Sequence, residues 1–460
     1  LALEKAMPPP AVPRISDQMP ARIRARFQRC QADPDLGRRL GDQALQDFPS
    51  NPGPEPGMVD RLLAEIRALR PRVDHVILVP NRDLWMVVEE QALCAILAPE
   101  RSIRLFYGPP GKMEASPFYP TFDMGRSLPL ILALLAALAP ASVYVRGSAQ
   151  FKSEHLAAAV KAALPSLFLT FEVYDYACML DDVFLETWGY SPELIEGVRD
   201  SEIFLAGKAD FLIDKTPGEE WRQTIAELGT APRRAYHPTL GTRWQEPPPA
   251  PAREPGPWRI LCAGSMPHFK NYRPGEGFPH WAYPNIIEPI AALAREPDMF
   301  VQIYNASHEP ALDHWPAFGG YARMFDPERV AYHPRISLQE IAERAPFYDF
   351  GMFLFEASEV VVDYPLQQSL PNRCMTYIAA NLPIIVNTEM RHLAGLVERF
   401  QAGITIASTE IEDLPRRIRA ADPALLRRGA EALYRHLVEA NREALEAFGH
   451  SLSEGQQRVR

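Results

Sequence analysis

The chain is short of cysteine, of net positive charge and of long apolar runs, and each shortage removes a class of function. Its five cysteines, Cys30, Cys94, Cys178, Cys262 and Cys374, are scattered, odd in number and form no CxxC pair. That pattern argues against a disulfide framework or a zinc finger, and it predicts a reducing, cytoplasmic setting. Cys94 and Cys262 stand among apolar neighbours and read as core thiols. Basic residues number 48 against 58 acidic ones, for a net charge of −10. Broad nucleic-acid binding depends on a basic surface that releases counterions, so no nucleic-acid partner is expected. A local basic cleft for an anionic substrate stays compatible with that balance. The longest apolar stretch, Leu128–Ala141, is interrupted by Pro129 and Pro140. It falls short of the roughly 20 residues that a membrane span needs and reads as a buried helix. No secretory signal opens the chain and no repeat of 20–50 residues is evident. The first residue is Leu1 rather than Met, which fits a segment of a longer polypeptide.

What is present is ordinary globular material in quantity. The 460 residues are 47% hydrophobic and 23% charged, enough for two domains, each with its own core. Residues 1–57 read as a flexible, Pro-rich lead followed by short helices. From 58 to 245 apolar runs of strand length alternate with helical periods. They begin with an amphipathic helix at Met58–Leu69 and include strands at Val76–Val79, Ile103–Phe106, Ser142–Val145, Leu167–Val173 and Phe211–Ile213. Residues 246–257, EPPPAPAREPGP, hold six prolines in twelve positions and read as a semi-rigid linker. A second set runs from 258 to 422, with strands at Trp258–Cys262, Phe300–Tyr304, Val330–His333, Phe350–Phe355, Leu382–Val386 and Ile404–Ala407. A long helix follows in 423–460. Strands alternating with helices at this spacing predict an α/β protein of two doubly wound, mostly parallel, Rossmann-like sheets.

The most informative stretch is Ser369–Glu389, SLPNRCMTYIAANLPIIVNTE. It reads as a loop, a short helix, a break at Asn381 and a buried strand. Pro371 and Asn372 suit a helix start, where the first N–H groups lack partners. Arg373 stands where those N–H groups and the positive end of the helix dipole would gather an anion. Any βαβ unit offers a polar helix start, so the pattern alone leaves an anion site and a plain helix start both open. A second suspicious turn is Ala263-Gly264-Ser265, at the end of the first strand of the second set, with Lys270 close behind. The segment Pro267–Pro284 is long, aromatic and rich in Gly and Pro. It reads as a binding lid or as a packed surface loop. Cys374 follows the anion candidates, but no oriented base accompanies it as a nucleophile.

These segments resemble the GT-B glycosyltransferases, most closely the GT4-like group. The resemblance covers roughly residues 74–450 as architecture and is sharp from Trp258 to Ala420. It implies a cleft between two Rossmann-like domains and a last helix that crosses back to the first domain. It also implies a nucleotide-diphosphate sugar as substrate, with no resident cofactor and no metal. On this reading Gly264, Ser265, Lys270, Ser369, Leu370, Pro371, Asn372, Arg373 and Thr376 hold the donor. Arg335 lies near the nucleotide base, and Glu356 reads sugar hydroxyls. The base for the acceptor hydroxyl comes from the first domain, from Asp175 or else Glu172, at the end of the strand Leu167–Val173. Arg146 and Ser148, after the preceding strand, could hold acceptor or phosphate. Asp181-Asp182 would suit a metal motif of another glycosyltransferase fold, but sits in a helix-like run.

The chain also departs from the family. GT4 enzymes often carry two glutamates eight positions apart here, and Gln368 and Thr376 stand at the matching positions. Asn381 replaces a common glycine, a conservative exchange because Asn tolerates the left-handed conformation. Two further readings follow from the same resemblance: an epimerase of nucleotide sugars, and a non-catalytic GT-B module that binds or scaffolds. Nothing in residues 74–240 names the acceptor as glycan, protein or lipid.

Overall fold

A computed structural model of the chain describes residues 15–48, 57–80, 90–109, 113, 115–147, 151–173, 176–180, 182–187, 189–214, 218, 222–223, 226–227, 233–235, 256–266, 286–306, 318–334, 336, 338–354 and 367–459. Two parallel sheets organise it. The first runs in the order β3-β2-β1-β4-β5-β6-β7, with β1 at His75–Val79, β2 at Ser102–Phe106, β3 at Thr121–Asp123, β4 at Ser142–Arg146, β5 at Phe168–Val173, β6 at Phe211–Asp214 and β7 at Arg233–Ala235. The second runs β10-β9-β8-β11-β12-β13, with β8 at Trp258–Gly264, β9 at Met299–Asn305, β10 at Val330–His333, β11 at Phe350–Phe353, β12 at Ile384–Asn387 and β13 at Gly403–Ile406. Every strand pair is parallel. Parallel strands need helical crossovers, which cover both faces and explain the unbroken burial of β1, β2, β4 and β5. The sheet order reverses direction beside β1 in the first sheet and beside β8 in the second. Ligands of such folds lie at those switch points, outside the carboxyl ends of the strands.

The amino-terminal region does more than lead. Helices Ile15–Gln31 and Leu36–Asp47 precede the helix Met58–Leu69. Ile23, Cys30, Leu36, Leu40, Ala44 and Phe48 share one core with β1, β4 and β5. The expected start of that domain at residue 58 therefore leaves out part of its core. Leu36, Leu40 and Ala44 recur every four residues, one stripe of a helix buried against the helix Ser153–Ala163.

The last helix, Pro423–Val459, crosses between the sheets. Its first half buries Ala430, Leu433, Tyr434 and Leu437 in the core of the second sheet. Its second half buries Ala444, Phe448 and Leu452 against β1, β4, β5 and β6. The Phe448 ring stands 5.4 Å from Phe211 and 6.2 Å from Tyr144. Among the described residues, no helix is long and apolar enough to cross a membrane.

Candidate functional site

The carboxyl ends of the second sheet bring several of the expected residues together. β8 and β11 pair only at Ile260↔Phe350 and Leu261↔Gly351, then part. Tyr377, from the helix Asn372–Ala379, fills the gap. Its hydroxyl accepts the Ala263 N–H at 2.6 Å and donates to the Ala263 carbonyl at 3.0 Å. A Cβ on Gly351 would overlap the Tyr377 ring, so glycine there is what admits the phenol. The helix is thereby pinned with its start over the end of β8. Pro371 caps that start without a side-chain acceptor. Asn381 closes the other end with φ of 55°, the left-handed conformation expected of it.

Arg373 follows from that placement. Its Nη2 donates to the Ser265 carbonyl at 2.5 Å, and its guanidinium carbon lies 5.1 Å from the centre of the Phe353 ring. Gly264 has φ of 125°, and a Cβ on it would come within 2.5 Å of the Arg373 Nε. Gly264, Ser265, Pro371, Asn372 and Arg373 thus form one contiguous surface at the switch point. No carboxylate among the described residues pairs with Arg373. Leu370 is buried and Ser369 half-buried beside them. Thr376 is less open than expected: its hydroxyl donates to the Asn372 carbonyl at 3.0 Å, one turn back in its own helix. Gln368 is buried, and its carbonyl accepts the Gly218 N–H at 2.9 Å. Burial pushes the Cys374 thiol well above its ordinary pKa, which removes it as a nucleophile. Lys270, Arg335, Glu356 and the segment Pro267–Pro284 lie outside the described residues.

One residue that sequence reasoning missed is Asn305, the fully buried last residue of β9. Its Oδ1 accepts the Met266 N–H at 3.3 Å, its Nδ2 donates to the Tyr332 hydroxyl at 3.0 Å, and its carbonyl accepts the Ile336 N–H at 3.1 Å. It holds the exits of β8, β9 and β10 in one arrangement. The available signal was an amide closing the largely apolar strand FVQIYN.

The first sheet contributes differently. Glu172 is fully buried and accepts the Tyr144 hydroxyl at 2.8 Å, and that Tyr144 ring abuts Phe448 of the last helix. It faces the interior, which goes against the expectation that Glu172 takes a proton from an acceptor: its carboxylate lies in the core with Tyr144. Arg146 is also buried, and Ser148, Asp175 and Asp181 lie outside the described residues. The segment just past Asp175 is held firmly. Glu202 accepts the Ala177 N–H at 2.5 Å and the Cys178 N–H at 2.8 Å. Arg199 donates to the carbonyls of Ala177 at 3.0 Å and Leu180 at 2.6 Å. Tyr176 donates to Asp214 at 2.9 Å. Burial pushes the Glu202 carboxyl up to about 7, against the pull of these N–H groups and of Arg199. In the first domain the half-buried Asp47 meets the buried His155 and the Lys152 ammonium, each at 2.6 Å, and its contact with His155 joins two helices.

No protein-family model matches the chain, and no curated protein matches it. Solved structures do. Anabaena HepE, solved with UDP-glucose, superposes with a TM-score of 0.52 at 12% identity, over 81% of this chain and 98% of that one. A glycosyltransferase from Rickettsia africae gives a TM-score of 0.51 at 11% identity, over 84% and 98%. LpCGTa, solved with UDP, gives 0.50 at 11%, over 83% and 99%. The fold is that of the GT-B glycosyltransferases. Each GT-B neighbour is spanned almost end to end by this chain, so both sheets belong to the likeness and not one Rossmann-like unit alone. The GT4 subgroup is not singled out by these neighbours.

Proposed function

We propose that the protein transfers a sugar from a nucleotide-diphosphate sugar to an acceptor hydroxyl. The observation that carries this reading is Arg373, lodged on Gly264 and Ser265 at the open start of the helix Asn372–Ala379. A guanidinium and the N–H groups of a helix start are the two devices by which protein binds a diphosphate. In the proposed reaction the acceptor oxygen bonds to the anomeric carbon. The bond from that carbon to the diphosphate oxygen breaks, and the diphosphate leaves with the electron pair. The acceptor proton passes to a first-domain carboxylate, for which Asp175 is the candidate. Arg373 and Lys270 stabilise the charge that grows on the leaving group, in place of a metal. Ser369, Leu370, Pro371 and Asn372 line the approach, and Arg335 and Glu356 are the candidates to contact the base and the sugar. The HepE and LpCGTa complexes with UDP-glucose and UDP support a uridine nucleotide as the first donor to try.

The test is calorimetric titration of UDP, GDP and uridine into the intact chain and its Arg373→Ala and Lys270→Ala variants. Loss of a charge-assisted contact costs about 1.5–3 kcal/mol, roughly a ten- to hundredfold weaker diphosphate. Uridine affinity should hardly move. Equal losses for diphosphate and nucleoside would refute the phosphate assignment. Turnover that EDTA abolishes and magnesium restores would refute the cation-only leaving group. Conversion of the donor sugar without any acceptor would turn the reading towards epimerisation.

A further inference from the structure

The second domain carries a cavity away from the donor surface. Its volume is about 630 Å³, and it is lined by Pro257, Arg259, Gln302, Tyr304, Arg344 and Phe347 among others. That volume falls within the roughly 300–1,000 Å³ of small-molecule sites. Arg259 precedes Gly264 by five residues on β8, about 16 Å at about 3.3 Å per residue, so the Arg259 end of the cavity lies towards the amino ends of the strands; Tyr304, opposite Ala263, lies nearer the carboxyl ends where Arg373 stands. Its floor is a buried polar knot. Tyr304 donates to the Gln302 Oε1 at 2.9 Å, Tyr348 donates to the same oxygen, and the two phenol oxygens lie 2.8 Å apart.

The groups left over around this knot are donors. Arg259 is exposed, and no carboxylate among the described residues pairs with its guanidinium. Arg344 donates to the Tyr304 hydroxyl at 3.3 Å and lies 5.6 Å from the centre of that ring. Glu340, one turn earlier in its helix, adds only charge attraction to it. The Gln302 amide N–H meets no acceptor among the described residues, since both phenols turn to its oxygen. Arg295, Arg416, Arg417 and Arg419 of the same domain each close onto carboxylates, whereas Arg259 and Arg344, like Arg373, close onto none among the described residues. Phe347 stands at the rim with 63% of its surface exposed. Two guanidiniums and an amide N–H call for an oxyanion, which Arg grips in a two-pronged fashion. An exposed ring at the rim of a polar floor offers a stacking face for a flat, hydroxylated molecule.

We propose that this cavity is a second ligand site and that it takes a carboxylate-bearing saccharide. The oxyanion follows from the donors alone; the choice of a saccharide rests on the glycosyl-transfer reading. The ligand's carboxylate lies between Arg259 and Arg344, its hydroxyls reach Gln302, and a pyranose face covers Phe347.

The experiment is titration of the full chain with trigalacturonate, with maltotriose as the neutral control and UMP as the phosphate control. Trigalacturonate should bind, and Arg259→Ala or Arg344→Ala should weaken it about tenfold or more. Phe347→Ser should weaken it by a smaller factor. UDP affinity should be unchanged in all three variants, and trigalacturonate affinity unchanged in Arg373→Ala. Absence of trigalacturonate binding, equal binding of maltotriose, or indifference of binding to both arginine variants would overturn the proposal. So would UMP binding that depends on Arg259, which would make the cavity a nucleotide site. Failure of UDP to bind at all would count against glycosyl transfer and leave the oxyanion site standing.

Discussion

At the residue scale, the candidate site was legible where a residue's chemistry and its backbone requirement coincide. Gly264, Pro371, Asn372 and Arg373 could be named because a strand end, a helix start and a cation each leave a mark in sequence. Tyr377 could not, because nothing in YIAA says that the phenol will stand between two parting strands. Glu172 misled for the same reason: a carboxylate near a strand end points to the cleft or to the interior according to pleat, and here it lies with Tyr144 under Phe448. Gly264 and Tyr377 allow a prediction. With φ of 125° and the Arg373 Nε where a Cβ would go, Gly264→Ala should strain the backbone and displace the guanidinium together. UDP affinity should fall by a factor comparable to that of Arg373→Ala. Tyr377→Phe instead strips the partner from the buried Ala263 N–H, costing about 1–3 kcal/mol of stability. A Gly264→Ala protein that binds UDP normally would show that Arg373 does not need this seat.

At the element scale, long buried strands announced themselves and short edges did not. Val330–His333 has the bounds that its apolar run predicts, and the helix Leu128–Leu138 starts where its apolar run starts and stops short of Pro140. The three-residue strands Thr121–Asp123 and Arg233–Ala235 were missed because three residues carry no period. For the helix Pro192–Lys208 the sequence predicts only the last turns, Ser201–Ala209. Its inner face carries Arg199 and Glu202, whose charges hide the apolar pattern and whose task is to hold residues 176–180 beyond β5. That clamp titrates. The folded Glu202 carboxyl is raised to about 7 from an ordinary value of 4.5, so between those pH values the native state binds more protons than the unfolded one. Stability should therefore decline as pH rises from about 4.5 to 7. In Glu202→Gln this contribution to the slope should vanish, at the cost of one N–H facing an amide N–H₂. Thermal melts of both proteins across that window measure it. Parallel slopes in the two would mean that Glu202 is ionised throughout.

At the scale of the whole molecule, the two-domain plan was readable from the alternation of strands and helices around a proline-rich stretch. What the sequence concealed is how far each end of the chain serves both halves. The stretch from Ile23 to Phe48 completes the first core, although its stripe follows a proline-rich lead that masks it. The last helix serves both sheets, which a single amphipathic period cannot reveal, because one stripe fits one partner as well as two. Chemistry between a second-domain donor surface and a first-domain base requires reacting atoms to come within about 3–3.5 Å, so the link between the halves sets what motion is allowed. Phe448 is the place to test that link, since its ring lies against Phe211 and Tyr144 and is almost fully buried. Phe448→Ala should remove about 3–5 kcal/mol, typical for a buried Phe. The loss should fall on the first domain and its half of the helix. Amide exchange should speed up around Ala444–Leu452, while Ala430–Leu437 stays protected, and UDP affinity should remain within about twofold of the parent. Turnover should fall much more than affinity, because the two surfaces no longer meet in one geometry. If exchange rose equally along the whole helix, the helix would be a single unit belonging to one domain; if turnover were untouched, it would not govern how the halves meet.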